Sequence, residues 1–228
     1  MEEILKNTLF IHHHLGLGDH IVCNGMVRFC MKHAGFSKIR VIVKKINYNS
    51  VFNMFRDDKN IEFEIVNTDD DFYKLNYEWN KLKLIRAGFE KIRIFDWAES
   101  LYDSAGISFN ERWDSFYYKR DQDKEKKLIE TLNLPKDFIL VHKTASIGEL
   151  KININTKIPI VYVSKIEDFD IFSWLGVVEK AKEVHCIDSS FLHLVESFKD
   201  INKQLFYHNN RNSSMSFQHK QKWNFINY

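Results

Sequence analysis

Residues 8–28, TLFIHHHLGLGDHIVCNGMVR, constrain the fold more than any other stretch of the chain. They open on a short apolar, β-branched run, Thr8-Leu9-Phe10-Ile11, which reads as a buried strand. Three histidines follow, then Gly16-Leu17-Gly18, and Asp19 stands where a helix N-cap belongs. Beyond it Val22, Met26, Phe29, Cys30 and His33 recur at helical spacing. Strand, glycine turn and helix make the first βα unit of a wound sheet. The glycines permit close backbone approach, and a helix start offers N–H groups to an anion. His12, His13, His14, His20 and Asp19 put a dense set of proton-transfer groups in one loop.

The same pattern continues. Strands are expected at residues 39–43, 61–66 and 91–95, with helices at 47–56 and 72–87. Asp69-Asp70-Asp71 precede the second helix as capping acids. This β-α-β-α-β-α-β order implies a parallel sheet with helices on both faces. Residues 97–121 are rich in aromatics and read as a packed connection, with a stacking lip of a cleft as the alternative. A domain boundary is expected near residue 120, dividing the chain into 1–120 and 121–228. The second half repeats the theme, with strands at 138–142, 158–163, 184–187 and 204–207 and helices at 123–132, 172–182 and 191–198. Residues 209–228 read as a polar tail.

Composition narrows the function classes. There are 33 basic and 31 acidic side chains, a net charge of +2, which gives no clear nucleic-acid-binding signal. No apolar run is long enough for a transmembrane segment. Cys23, Cys30 and Cys186 are too few and too scattered for a disulfide framework or zinc knuckle, and they read as reduced core residues of a cytoplasmic protein.

Gly16-x-Gly18 is not a dinucleotide fingerprint, because Ile21 holds the third glycine position and Lys44-Lys45 follow the second strand where a ribose-binding acid belongs. Neighbouring strand residues point to opposite faces, so His12, His13 and His14 cannot all ligate one metal ion from a regular strand. Asp19 serves as a cap, or as a base that deprotonates a hydroxyl; His14 is the rival base because it lies nearer the loop than His13. After strand 138–142, Lys143, Thr144, Ser146 and Lys151 are groups that hold a diphosphate. After strand 184–187 come Asp188-Ser189-Ser190-Phe191-Leu192-His193-Leu194: an acid and two hydroxyls, then a helix with His193 on its first turn.

Together these residues resemble the heptosyltransferase-like glycosyltransferases of the GT-B fold. The resemblance rests on the glycine-Asp loop entering the first helix, LGLGDHI with Gly18-Asp19, and on the C-terminal pattern Asp-Ser/Thr-Gly-x-x-His-Leu, here Asp188 to Leu194 with Ser190 in place of the glycine. It implies two Rossmann-like α/β domains of wound parallel sheets facing a cleft, in a compact form. It implies transfer of a sugar from a nucleotide-sugar donor to a hydroxyl acceptor (a glycan, a lipid-linked glycan or other), inverting, with no metal and no cofactor. Asp19 would then be the base. Lys143, Thr144, Asp188, Ser189, Ser190 and His193 would bind the donor. His13, Gly16, Gly18 and His20 would line the acceptor side. Two alternatives stay open on the same sequence: a nucleotide-sugar epimerase or hydrolase, and a non-catalytic nucleotide- or sugar-binding module.

Overall fold

A computed structural model describes residues 7–75, 77–90, 93, 96–198, 201–209 and 219–228. The described residues divide into two compact units, the first ending at Lys119 and the second beginning at Arg120.

The first unit is built on β1 (Thr8–His12), β2 (Lys38–Lys44), β3 (Ile61–Val66) and β4 (Lys83–Arg86). All pair in parallel, in the order β3-β2-β1-β4. Every residue of β1 is buried, as an apolar run flanked on both sides by strands requires. Two helices follow β1, α1 (Leu17–Val22) and α2 (Asn24–His33). The single helix expected there is broken at Cys23. The fully buried Tyr102 of α4 (Trp97–Ser104) spans the break: its hydroxyl donates to the Val22 carbonyl at 2.7 Å and accepts the Met26 N–H at 3.2 Å. Helix α3 (Tyr48–Phe55) joins β2 to β3.

The helix expected over residues 72–87 does not form. The chain makes two short 3-10 turns, Asp69–Lys74 and Trp79–Lys81, and then β4. Of the acids at 69–71, Asp71 caps the first of these turns, in a capping box with Thr68, and Asp69 pairs with Lys44. What overrides the helix is a cluster around Phe10, Leu15, Ile42, Val66 and Phe72, on which Leu75, Tyr77, Trp79, Leu82 and Leu84 pack. Those five recur mostly every second residue, the period of an extended chain. The strand expected at 91–95 falls on residues that, Arg93 excepted, lie outside the described ones.

The aromatic connection also packs: Tyr102, Trp113 and Tyr118 are buried. In it, α5 (Glu111–Asp114) meets α2 backbone to backbone. A Cβ placed on Gly25 would lie 2.0 Å from the Glu111 carbonyl oxygen. Gly25→Ala is therefore expected to destabilise the protein by about 3 kcal/mol, the upper end of overpacking costs, although intrinsic helix propensity favours Ala by ~1 kcal/mol. A urea melt checks this; an unchanged midpoint would mean the helices do not approach so closely.

The second unit begins with Arg120, whose guanidinium bridges Glu125 on α6 (Gln122–Leu132) and Glu179 on α7 (Leu175–Lys180). Its strands are β5 (Ile139–His142), β8 (Ile160–Tyr162), β9 (Glu183–Ile187), β10 (Gln204–Asn209) and β11 (Trp223–Asn227), all parallel in the order β11-β10-β9-β5-β8. A small hairpin, β6 (Thr144–Ala145) with β7 (Gly148–Glu149), follows β5, and α8 (Ser190–Ser197) follows β9. Strand β11 was expected to be tail. Only Trp223 of its five residues is buried, and its indole N–H donates to the buried Glu196 carboxylate at 2.8 Å. Residues 210–218 of that tail lie outside the described ones. Among the described residues no helix is long and apolar enough to cross a membrane, and all three cysteines are buried free thiols.

Candidate active site

In each sheet the strand order reverses at one point, and in open α/β sheets ligands bind there, beyond the carboxyl ends of the strands. In the first unit the chain runs β1, β2, β3 to one side and returns to place β4 on the other side of β1. The reversal lies between β1 and β4. The histidine-glycine loop leaves β1 at that point, and the Ala87-Gly88-Phe89 turn leaves β4 beside it. His14 ties the two together, its Nε2–H donating to the Gly88 carbonyl at 2.9 Å while its ring stacks on Phe89 at 5.0 Å. Gly88 has φ +84°, a backbone conformation that side chains disfavour.

The four histidines divide by environment. His12 is buried, stacked on Phe72 at 3.7 Å and lying 4.5 Å from Phe89. Both its ring nitrogens lack a partner among the described residues. Burial first, then neighbouring His13 and Arg86, pushes its pKa down to about 3. His13 is buried and donates Nδ1–H to the His14 carbonyl at 2.6 Å; burial takes its pKa down to about 4. His20 is buried edge-on to His13 at 4.4 Å and is pushed well below the ordinary imidazole value, again mainly by burial. His13 and His20, expected on the acceptor side, are each only 1% exposed, too deep for an acceptor to touch. They are neutral rings that fill the space behind the loop. His14 alone of the four is half-buried.

Asp19 is not the N-cap. Gly16 is, and Asp19 is the third residue of α1. From there its carboxylate folds back over the helix start, where a Cβ on Gly16 would lie 2.5 Å from Oδ2, and the backbone amides of Gly16 and Asp19 favour its charged form. Gly18 lies within α1. Burial pushes the Asp19 carboxyl up to about 7, against the opposing pull of His14. A half-buried carboxyl that titrates near neutrality is suited to taking and releasing a proton. Leu15, between them, is held by Asn47, whose Nδ2–H donates to its carbonyl at 2.8 Å.

In the second unit the reversal lies between β5 and β9, because β8 adds on one side of β5 and β9, β10 and β11 follow on the other. The Asp188–His193 segment begins there. Ser189 is the N-cap of α8, its Oγ accepting the Leu192 N–H at 3.4 Å and donating to the Ile187 carbonyl at 3.1 Å. Ser190 opens the helix and is half-buried. His193 is 5% exposed, with Nε2 3.8 Å from Asp188 Oδ1, so it sits beneath the turn. Lys143 pairs with Glu149 at 2.8 Å and lies 4.4 Å from the Tyr162 ring centre; the Glu149 carboxylate raises its pKa. Thr144 is exposed in the hairpin opposite Glu149. The sequence reading missed His142, the last residue of β5, whose Nδ1 is 3.1 Å from Ser189 Oγ. A histidine ending an apolar strand was the available signal.

Among the described residues no group of three or more His, Cys, Asp and Glu side chains is placed to hold a metal ion. No family model matches the sequence, and no curated protein matches it. Solved structures do. The chain is similar to a glycosyl transferase family 9 structure from Veillonella parvula DSM 2008, with TM-score 0.52 and 10% identity over 100% of this chain and 87% of that one. It is also similar to the E. coli ADP-heptose lps heptosyltransferase II, with TM-score 0.57 and 9% identity over 96% of this chain and 89% of that one. At such identity the likeness is one of fold: two parallel-sheet α/β units, the architecture of GT-B glycosyltransferases.

Proposed function

We propose that the protein is a glycosyltransferase that moves a sugar from a nucleotide-sugar donor to a hydroxyl acceptor, with inversion and without a metal. The observation that carries this reading is that each of the two motif loops lies at the strand-order reversal of its own sheet, in a chain with the fold of known glycosyltransferases. In this reading the first unit holds the acceptor and the second the donor. The acceptor oxygen attacks the anomeric carbon and the bond to the diphosphate oxygen breaks. The proton of the attacking hydroxyl goes to Asp19, whose elevated pKa makes it a base matched to neutral pH. Charge growing on the diphosphate is met by the N–H groups at the start of α8 and by Lys143 and Lys151. Lys143 would exchange its Glu149 partner for phosphate.

A panel of nucleotide sugars, each incubated with and without sugar acceptors, tests this. Acceptor-dependent release of the nucleoside diphosphate is expected, undiminished in excess chelator. Conversion without acceptor would instead indicate an epimerase or hydrolase, binding without turnover a non-catalytic module. Activity lost to the chelator and restored by one ion would overturn the metal-free part.

A further inference from the structure

We infer that His142 reads a hydroxyl group of the donor, presenting to it a fixed hydrogen-bond acceptor at Nε2. The inference rests on the donor-binding role given to the second unit above. His142 ends β5 and its Cα is the register partner of Cys186 on β9, so its ring neighbours the turn that begins after Ile187. The ring stacks on Phe191 of α8, centres 5.0 Å apart and planes 21° from parallel, which fixes its orientation.

The tautomer follows from counting protons. Ser189 Oγ has one hydrogen and three polar neighbours: the Ile187 carbonyl, the Leu192 N–H and His142 Nδ1. The arrangement that satisfies all three neighbours at once sends the hydroxyl hydrogen to the carbonyl, which can only accept. The Leu192 N–H can only donate, so it occupies one lone pair of Oγ. The other lone pair faces Nδ1, which must then carry a hydrogen and donate it. Burial holds this ring's pKa down to about 4, so the imidazole is neutral. A neutral ring with a hydrogen on Nδ1 has none on Nε2.

An Nε2 lone pair discriminates between ligand groups. A phosphate oxygen brings only lone pairs and is repelled. A hydroxyl brings a hydrogen and is bound. A nucleotide sugar carries hydroxyls on its ribose and on its sugar. His142 therefore selects one of these, and the phosphates lie elsewhere, toward the α8 start.

The variants separate the two ring nitrogens. In His142→Asn the side-chain amide reaches about as far as Nδ1, keeping a donor for Ser189 and removing Nε2. In His142→Gln it reaches about as far as Nε2 and loses the Ser189 bond. Calorimetry is run with inorganic pyrophosphate, with ADP, UDP and GDP, and with ADP-glucose, UDP-glucose and GDP-mannose. His142→Asn should weaken binding about tenfold with unchanged pyrophosphate affinity, in a chain that loses the Phe191 stack but still melts cooperatively, and His142→Gln should recover part of the loss. A loss already present with the bare nucleotide assigns the ribose; a loss only with the sugar conjugate assigns the sugar. Wild-type binding with His142→Asn unchanged overturns this inference alone. So does an equal loss for pyrophosphate. A wild-type chain that binds none of the probes overturns the donor-binding reading and this inference with it. The tautomer has its own readout: long-range ¹H–¹⁵N spectra of the imidazole should show protonated Nδ1, and protonated Nε2 would refute the assignment without any ligand.

Discussion

Asp19→Asn is expected to lower turnover by roughly 10²–10⁴-fold and to leave donor affinity and Tm nearly unchanged. Asn has the size of Asp and its amide oxygen can face the same backbone amides at the start of α1, so the local fold survives. What disappears is the loop's one carboxyl, partly accessible and pushed up to about 7 by burial. The wild-type rate should rise with pH through about 7, because the base works in its deprotonated form, and that limb should vanish in Asp19→Asn. His14 is the rival, half-buried and bonded through Nε2 to Gly88. Near-normal turnover in Asp19→Asn beside a collapse in His14→Gln would transfer the base to His14. If Asp19 served only the helix start, Asp19→Ala would lose about 0.5–2 kcal/mol of stability with turnover intact.

Acidification should destabilise the protein well above the pH at which ordinary carboxylates titrate. His12 is held down to about 3, and His13, His142 and His208 to about 4, in each case mainly by burial. The sign follows from proton counts. Below the ordinary imidazole value near 6.5 the unfolded chain binds protons that the native rings refuse, so stability is present above that value and is lost as pH falls toward the folded pKa values. The raised Asp19 carboxyl acts oppositely, since the native state binds its proton first as pH drops through about 7. Four rings against one carboxyl leave a limiting slope of about three protons, roughly 4 kcal/mol per pH unit. His20 and His185, also pushed down by burial, add in the same direction. Such a slope would consume a typical stability of about 5–15 kcal/mol within a few pH units. Thermal melts between pH 7.5 and 5 should show a steeply falling Tm; a flat profile would mean these rings are hydrated or paired.

Much of this was legible where one periodicity dominated. Strands β1, β2, β5 and β9 each carry a short apolar core, Leu9-Phe10-Ile11, Val41-Ile42-Val43, Ile139-Leu140-Val141 and Cys186-Ile187, and those buried stretches mark them in the sequence. Helix α8 could be read from the serine before it and the apolar residues within it. Residues 72–87 could not, because a strand and two 3-10 turns arise there from aromatic packing on Phe10, a contact the local pattern does not contain. β11 was hidden because a single tryptophan anchors it. In the site, Gly16 and Asp19 exchanged roles: an acid at the helix start satisfies amides from the third helical position as well as from the cap. The burial of His13 and His20 and the pairing of Lys143 with Glu149 are tertiary facts. His142 acquires its meaning only from Ser189, brought alongside by strand pairing.

The place of β1 has a kinetic consequence. It is wholly buried, yet one of its two edges is completed only when Leu9 pairs with Lys83. As the chain leaves the ribosome, the β2 edge can zip early, while the β4 edge must wait for everything between to be synthesised. Closing such a long loop costs entropy before any pairing rewards it. Through that interval the most completely buried strand of the first unit exposes unpaired backbone, a template for pairing with another nascent chain. Slowing translation before residue 83 would lengthen this exposure, whereas slowing it afterwards would give the sheet time to close.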